Sequence, residues 1–362
     1  MTEVSAPLAA TVASREIQTV APRPAPPREA TGPAQATYGA LDLGTNNCRL
    51  LVAAPSPGGG FRVIDSFSRI VRLGEGLHET GRLSEPAMER AIGALRACSA
   101  RLHRRPGIRL RAVATEACRR ASNGAEFLRR VRTETGLDIR IISTREEVEL
   151  ALESCAPLLR DGGRRVLLFD IGGGSTELAW VRLDGRRPSL IGYDSLPIGV
   201  VTLSERWGDA AFDRDGFEEI VDDVTARLLA FERVHCIGRE VRAGDVRLIG
   251  TSGTVTTLAG VVLELPRYRR PLVDGVALTA EAALQAVADL RALGREGLAR
   301  HPCVGPDRVD FVLPGCAVFV ALARLWPVSR VTVADRGLRE GMLTRLIQAD
   351  RDRGRARSRA RP

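Results

Sequence analysis

Four short segments carry residue types suited to chemistry on phosphate. The first is Asp42-Leu43-Gly44-Thr45-Asn46-Asn47. Glycine lets backbone approach a ligand, and successive N–H groups in a tight turn form an anion nest. Thr45, Asn46 and Asn47 add donors, and Asp42 is placed to hold a divalent cation, Mg²⁺ being held commonly through water. The second is Asp170-Ile171-Gly172-Gly173-Gly174-Ser175-Thr176-Glu177. Three consecutive glycines are costly to order, so this run calls for a reason. An ordinary hairpin turn uses the same residue types. Two such turns, each led by an aspartate at the end of an apolar run, instead point to a phosphate–Mg²⁺ site. The third is Gly250-Thr251-Ser252-Gly253-Thr254, a strand-to-helix turn that serves equally as a helix cap or an anion site. The fourth is Arg145-Glu146-Glu147-Val148-Glu149. Acidic residues suit a first helical turn, and at a junction between two halves one of them could meet a cleft and activate water.

The elements that must position these segments alternate. Residues 38–43, 48–53 and 61–67 read as three strands of a meander, with the first phosphate turn between the first two. Ser84 caps a helix carrying Met88, Ile92, Leu95 and Leu102 at helical spacing. A strand at 109–114, a helix over 122–135 stopped by Gly136, a strand at 139–142 and a helix over 145–159 complete a first half. The order then restarts. Strands are expected at 166–171 and 177–181, a long helix over 213–233, and a strand at 246–249. Helices near 254–264, 279–292 and 314–325, a strand at 331–334 and a helix over 338–349 follow. Two similar α/β halves facing one another would enclose an interdomain cleft.

Composition narrows the chemistry. The chain has 362 residues and a net charge of +9, from 53 basic and 44 acidic residues, and every basic residue is arginine. Without lysine, a GK[ST] phosphate loop and any Schiff-base mechanism are excluded. Arginine suits bidentate phosphate contacts, so a polyanionic substrate is compatible. Seven cysteines without a CxxC pair, and only four histidines, argue against a zinc ribbon or a disulfide framework and for reduced thiols in the cytoplasm. The apolar runs are too short for a transmembrane helix. Residues 1–36 are Pro- and Ala-rich and read as a disordered tail, and residues 350–362 as an Arg-rich disordered tail. With aromatics at 4% and no recognised binding motif, nucleic acid is not the expected partner.

YGALDLGTNNCRLLVA, VATEACRRASNGAEFLRRV, IISTREEVELAL, LLFDIGGGSTELAWV and LIGTSGTVTTLAG resemble, in order and spacing, the motifs of the exopolyphosphatase / guanosine pentaphosphate phosphohydrolase family. The resemblance runs from about residue 38 to 346. It implies an α/β fold with two ribonuclease H-like domains of the actin-like ATPase superfamily, here 37–150 and 151–349, flanking a cleft. It further implies Mg²⁺-dependent release of terminal orthophosphate from inorganic polyphosphate, guanosine pentaphosphate or both. Position by position, Glu147 matches the carboxylate that activates water. Asp170 and Glu177 match acidic residues of metal binding and catalysis, and Asp42 the first-loop aspartate. Gly44, Thr45, Asn46 and Asn47, with Gly172, Gly173, Gly174, Ser175 and Thr176, match the phosphate loops. Arg119 matches an arginine facing the substrate phosphates. The family's run after the paired glutamates is Ala-Arg-Leu, whereas here it is Val148-Glu149-Leu150, a charge reversal beside the base. That reversal keeps open a weakly catalytic polyphosphate or alarmone sensor. An ATP-dependent kinase of the same fold is opposed by the paired glutamates. The resemblance allows a homodimer, on which the sequence is silent.

Overall fold

The computed structural model describes residues 36–57, 60–159, 164–183 and 188–359. The tail expected over 1–36 lies, but for its last residue, outside them.

Apolar runs at the predicted positions build two sheets. The first comprises β1 (Tyr38–Leu43), β2 (Asn47–Pro55), β3 (Phe61–Ile70), β4 (Arg109–Ala114) and β5 (Arg140–Ile141), in the order β3-β2-β1-β4-β5. β2 runs antiparallel to both β1 and β3, while β1 and β4 are parallel. The second comprises β6 (Arg165–Ile171), β7 (Thr176–Arg182), β8 (Ser189–Leu196), β9 (Val246–Thr251), β10 (Ala277–Thr279) and β11 (Arg330–Ala334). Its order is β10-β11-β9-β6-β7-β8, with β6 antiparallel to β7 and parallel to β9. Apart from β10 the two orders are the same, which is the ribonuclease H-like arrangement occurring twice.

Local signals set several helix ends. Ser84 Oγ accepts the Ala87 N–H at the start of Glu85–His103, and Gly136 closes Gly124–Thr135 at φ 71°. Other elements depart from expectation. β8 and the helix Val200–Trp207 are additional, and the helix expected at 314–325 begins at Val309 in spite of Pro314. The helix expected over 145–159 is α-helical only for Thr144–Ser154, with a 3₁₀ turn at Ala156–Leu159.

The largest departures concern the chain ends of the two halves. The helix Leu338–Arg359 continues through most of the segment expected to be a disordered tail. Asp350 anchors it: its carboxylate accepts the Tyr38 hydroxyl at 2.8 Å and pairs with Arg109 and Arg353. The same helix, although it follows the second sheet, packs Met342, Leu343 and Ile347 against Tyr38, Ala40 and Leu51 of the first. Thr144–Ser154 packs both ways, with Leu150 in that core and Val148 and Ala151 against Leu168 and Ala179 of the second sheet. A division at 150/151 therefore cuts through a helix, and 338–349 join the first sheet. The two helices approach closely, since a Cβ on Gly341 would lie 2.1 Å from the Leu150 carbonyl oxygen. No described helix is long and apolar enough to cross a membrane.

Candidate active site

The turn after β1 and the turn after β6 meet between the sheets. Asp42 pairs in register with Arg49, and Asp170 with Glu177, so each aspartate occupies the last turn of a buried strand. The glycines of the second turn answer to close approach rather than to unusual backbone angles. None of Gly172, Gly173 and Gly174 has positive φ. A Cβ on Gly173 would lie 3.0 Å from Asn46 Cβ, and one on Gly174 would lie 2.7 Å from Thr45 Oγ1. Behind the loop, the Val200 and Val201 N–H groups donate to the Gly172 and Gly173 carbonyls at 3.0 and 2.8 Å. In the first loop the Thr45 carbonyl accepts Gly74 N–H, and the Asn46 carbonyl accepts Val71 and Arg72 N–H. Both loops thus have their carbonyls tied back, which leaves amide edges for an anion.

A cavity of about 540 Å³ opens at this junction. Asp42, Gly44, Thr45, Asn46, Asn47, Glu147, Asp170, Gly172, Gly173, Gly174, Ser175 and Glu177 all line it. Thr176 does not: it is fully buried, and its hydroxyl donates to the Ile198 carbonyl at 2.7 Å. Arg119 does not line it either. Its guanidinium donates to Glu147 Oε2 at 3.0 Å, Glu116 Oε2 at 2.6 Å and the Ile142 carbonyl at 3.1 Å. It acts on the cleft through Glu147. Glu149 points elsewhere, pairing with Arg145 at 2.9 Å and Arg345 at 3.4 Å. The charge reversal two residues after Glu147 therefore ties two helices together, and Glu149 does not line the cavity.

Glu147 stands in the first turn of a helix capped by Ser143 Oγ, which accepts the Glu146 N–H at 3.2 Å. Burial and the charge of Glu177 push its carboxyl well above the usual carboxylate range, against the pull of Arg119. Burial lifts Asp42 as well. Asp170 rises to about 6, through burial first and then the charge of Asp42, against Arg49. Glu177 rises to about 7, through burial first and then Asp170, although its carboxylate accepts the Ser175 and Ser195 hydroxyls. Four carboxylates in one cleft, each held above its ordinary value, form a donor set that a cation would relieve. Among the described residues no group of three or more His, Cys, Asp or Glu side chains is placed to hold a metal ion directly. A cation held here would keep water in its shell between itself and most of these carboxylates, as Mg²⁺ commonly does. Asn46 Oδ1 is buried without a partner, which adds an unused oxygen facing the same need.

Residues 51–349 match the model of the Ppx/GppA phosphatase family. The chain belongs to that family. A guanosine-5'-triphosphate,3'-diphosphate pyrophosphatase of Aeromonas salmonicida is 31% identical over 318 residues, covering 87% of this chain and 60% of that protein. The chain thus spans 60% of the length of that relative. Among solved structures, a Ppx/GppA family member of Aquifex aeolicus is 28% identical with a TM-score of 0.69, covering 87% of this chain and 98% of the other. An exopolyphosphatase-like protein is 28% identical with a TM-score of 0.77, covering 86% and 98%.

Within this Ppx/GppA fold, sequence reading passed over the basic side of the cleft. Arg49, Arg308, Arg336 and Arg339 line the cavity with Tyr268, Ser252 and Thr254. Arg308 donates to the Gly253 carbonyl at 2.6 Å and to Thr257 Oγ1 at 2.9 Å, and Arg336 pairs with Asp274 at 2.7 Å. Ser252 holds φ 118°, rare for a residue with a side chain, and its buried hydroxyl has no partner. The third turn was the available signal for Ser252. Nothing local distinguishes these four arginines among 53 basic residues.

Proposed function

We propose that the protein hydrolyses a terminal phosphoanhydride and releases orthophosphate, with inorganic polyphosphate or guanosine pentaphosphate as substrate. The observation that carries this reading is Glu147: a partly buried carboxyl held above its usual range, oriented by Arg119, and facing two loops whose carbonyls are tied back. A carboxylate so raised is matched to general-base work near neutral pH. The loop amides and the hydroxyl of Thr45 would bind and orient the terminal phosphoryl group. Glu147 accepts a proton from water as the oxygen attacks phosphorus. The bond from phosphorus to the bridging oxygen breaks, and the shortened chain leaves as the conjugate oxyanion. Arg119 then balances the carboxylate between its two protonation states. Asp42, Asp170 and Glu177 would hold a hydrated Mg²⁺, which supplies charge neutralisation on the phosphate oxygens. Phosphoryl transfer draws its catalysis from this positioning and charge balance.

The name of the Aeromonas relative favours the guanosine pentaphosphate arm, and the exopolyphosphatase-like structure the polyphosphate arm. The sensor alternative rested on Glu149, whose contacts with Arg145 and Arg345 lie outside the cleft. The test is phosphate release by the purified chain with Mg²⁺ from long-chain polyphosphate and guanosine pentaphosphate, beside Glu147→Gln. The expected loss in the variant is about 10²–10⁴-fold, the usual worth of a general base. No release from either substrate, or undiminished release by Glu147→Gln, overturns the reading.

A further inference from the structure

The cleft carries charges of both signs. Glu147 and Glu177 share the influence of Arg119. Arg49, Arg308 and Arg339 influence one another, Arg49 making both other guanidinium groups more acidic, and Arg49 and Arg339 also act on Asp42. Of the four arginines lining the cavity, Arg336 pairs with the Asp274 carboxylate, and Arg308 donates through one nitrogen to the Gly253 carbonyl and the Thr257 hydroxyl. Arg49 and Arg339 make neither a side-chain hydrogen bond nor an ion pair among the described residues.

Arg339 is the costlier of the two. It stands in the first turn of the 22-residue helix Leu338–Arg359, where the helix dipole already presents positive charge. Desolvation acts most strongly against its charge, together with the repulsion of Arg49 and Arg270, and the attraction of Glu340 and Asp42 offsets this only in part. Glu340 is beside it in sequence, but that carboxylate is taken by Arg270 at 2.8 Å and by the Gly337 N–H at 3.1 Å. A desolvated guanidinium without a partner is unfavourable unless an anion arrives from outside.

We propose that Arg339 is the anchor for a substrate phosphate other than the one cleaved. This rests on the phosphoanhydride reading for the identity of the anion. The guanidinium geometry suits two phosphate oxygens at once, which an ammonium cannot match. The helix that carries Arg339 packs on the first sheet, whereas the strand before it belongs to the second. An anion held there contacts the chain where it crosses between the two halves.

The experiment is thermal unfolding of the full chain with inorganic tripolyphosphate and no divalent cation, for wild type, Arg339→Gln and Arg339→Lys. Wild type is expected to be stabilised by tripolyphosphate. Arg339→Gln is expected to unfold at the same temperature as wild type or higher without ligand, and to bind tripolyphosphate about 10-fold or more weakly, the worth of a charge-assisted contact. Arg339→Lys should fall between them. In the release assay KM should rise by a similar factor with kcat changed about 3-fold or less, the pattern of uniform binding. Lower stability of Arg339→Gln with unchanged tripolyphosphate affinity would assign a structural role and overturn the proposal, as would a wild type blind to tripolyphosphate. Should Arg339→Gln not fold, undiminished affinity in Arg339→Lys would overturn the bidentate anchor. Tripolyphosphate binding through Arg339 without phosphate release would sink the hydrolase reading alone. Release unaffected in both variants would sink only the role of Arg339.

Discussion

Replacing Asp170 by asparagine is expected to stabilise the metal-free protein at alkaline pH. Asp170 ends β6 opposite Glu177, and its carboxylate has no hydrogen-bond partner among the described residues. Burial and the charge of Asp42 lift it from 3.8 to about 6, against the pull of Arg49. The native state therefore holds this proton more tightly than the unfolded chain, whose aspartate titrates near pH ~4. Between those values the native state binds more protons, so stability falls as pH rises through the window. Above it, the buried charge costs at most about 3 kcal/mol. Below both values the cost vanishes. Asparagine keeps the shape and removes the charge. At pH 8 in EDTA, Asp170→Asn should exceed wild type by up to that amount, roughly 5 °C in Tm. At pH 4 the two should coincide. Removing the charge of Asp170 should also lower the titration of Glu177, for which it is the second cause after burial. Mg²⁺ should raise the Tm of wild type at pH 8 more than that of the variant. Thermal unfolding across pH 4–8 reads all of this. A difference between variant and wild type that stays flat with pH, or a variant less stable at pH 8, would refute the account of a charge held against burial.

Two further substitutions probe the scaffold. Glu149→Arg restores the family's charge but sets three arginines together in place of the Arg145 and Arg345 pairs; unfolding should show a loss of about 1 kcal/mol or less, because these pairs are partly solvated, with turnover unchanged. A drop in kcat would place Glu149 in the cleft after all. Gly199→Ala puts a Cβ 2.5 Å from the Gly173 carbonyl carbon and oxygen, pressing on the second phosphate loop from behind. Stability should fall by about 1–3 kcal/mol, and phosphate release should fall more than 10-fold as the loop shifts. Unchanged release would mean that the loop tolerates displacement.

The positions of the two phosphate turns and of Glu147 were legible because each depends on neighbours in the chain. An apolar run ending in Asp-x-Gly is a strand entering a turn, and Ser143 three residues before Glu146 is a helix cap. The succession of strand, turn and strand repeated along the chain as expected because apolar runs and turn residues are local signals, although β8 was not anticipated. The end of the chain was misread because its arginines suggested a solvated coil. Alanine and arginine are good helix formers, and the contacts that anchor the helix come from Tyr38 and Arg109 at the other end of the sequence.

The sequence by itself determined which residue types enter the cleft from each half: Asp42, Asp170, Glu177, Glu147 and the glycine loops. Only the tertiary structure decided how their charges are balanced. Arg119 turned out to serve Glu147, Thr176 to serve the core, and Glu149 to bridge two helices. Arg49, Arg308 and Arg339 turned out to supply the basic wall. The physical reason is that an arginine's charge matters through its distance to other charges and its exclusion from water, and both are sums over residues remote in sequence. No local pattern sets Arg339 apart from the other arginines; its desolvation without a hydrogen-bonding partner does.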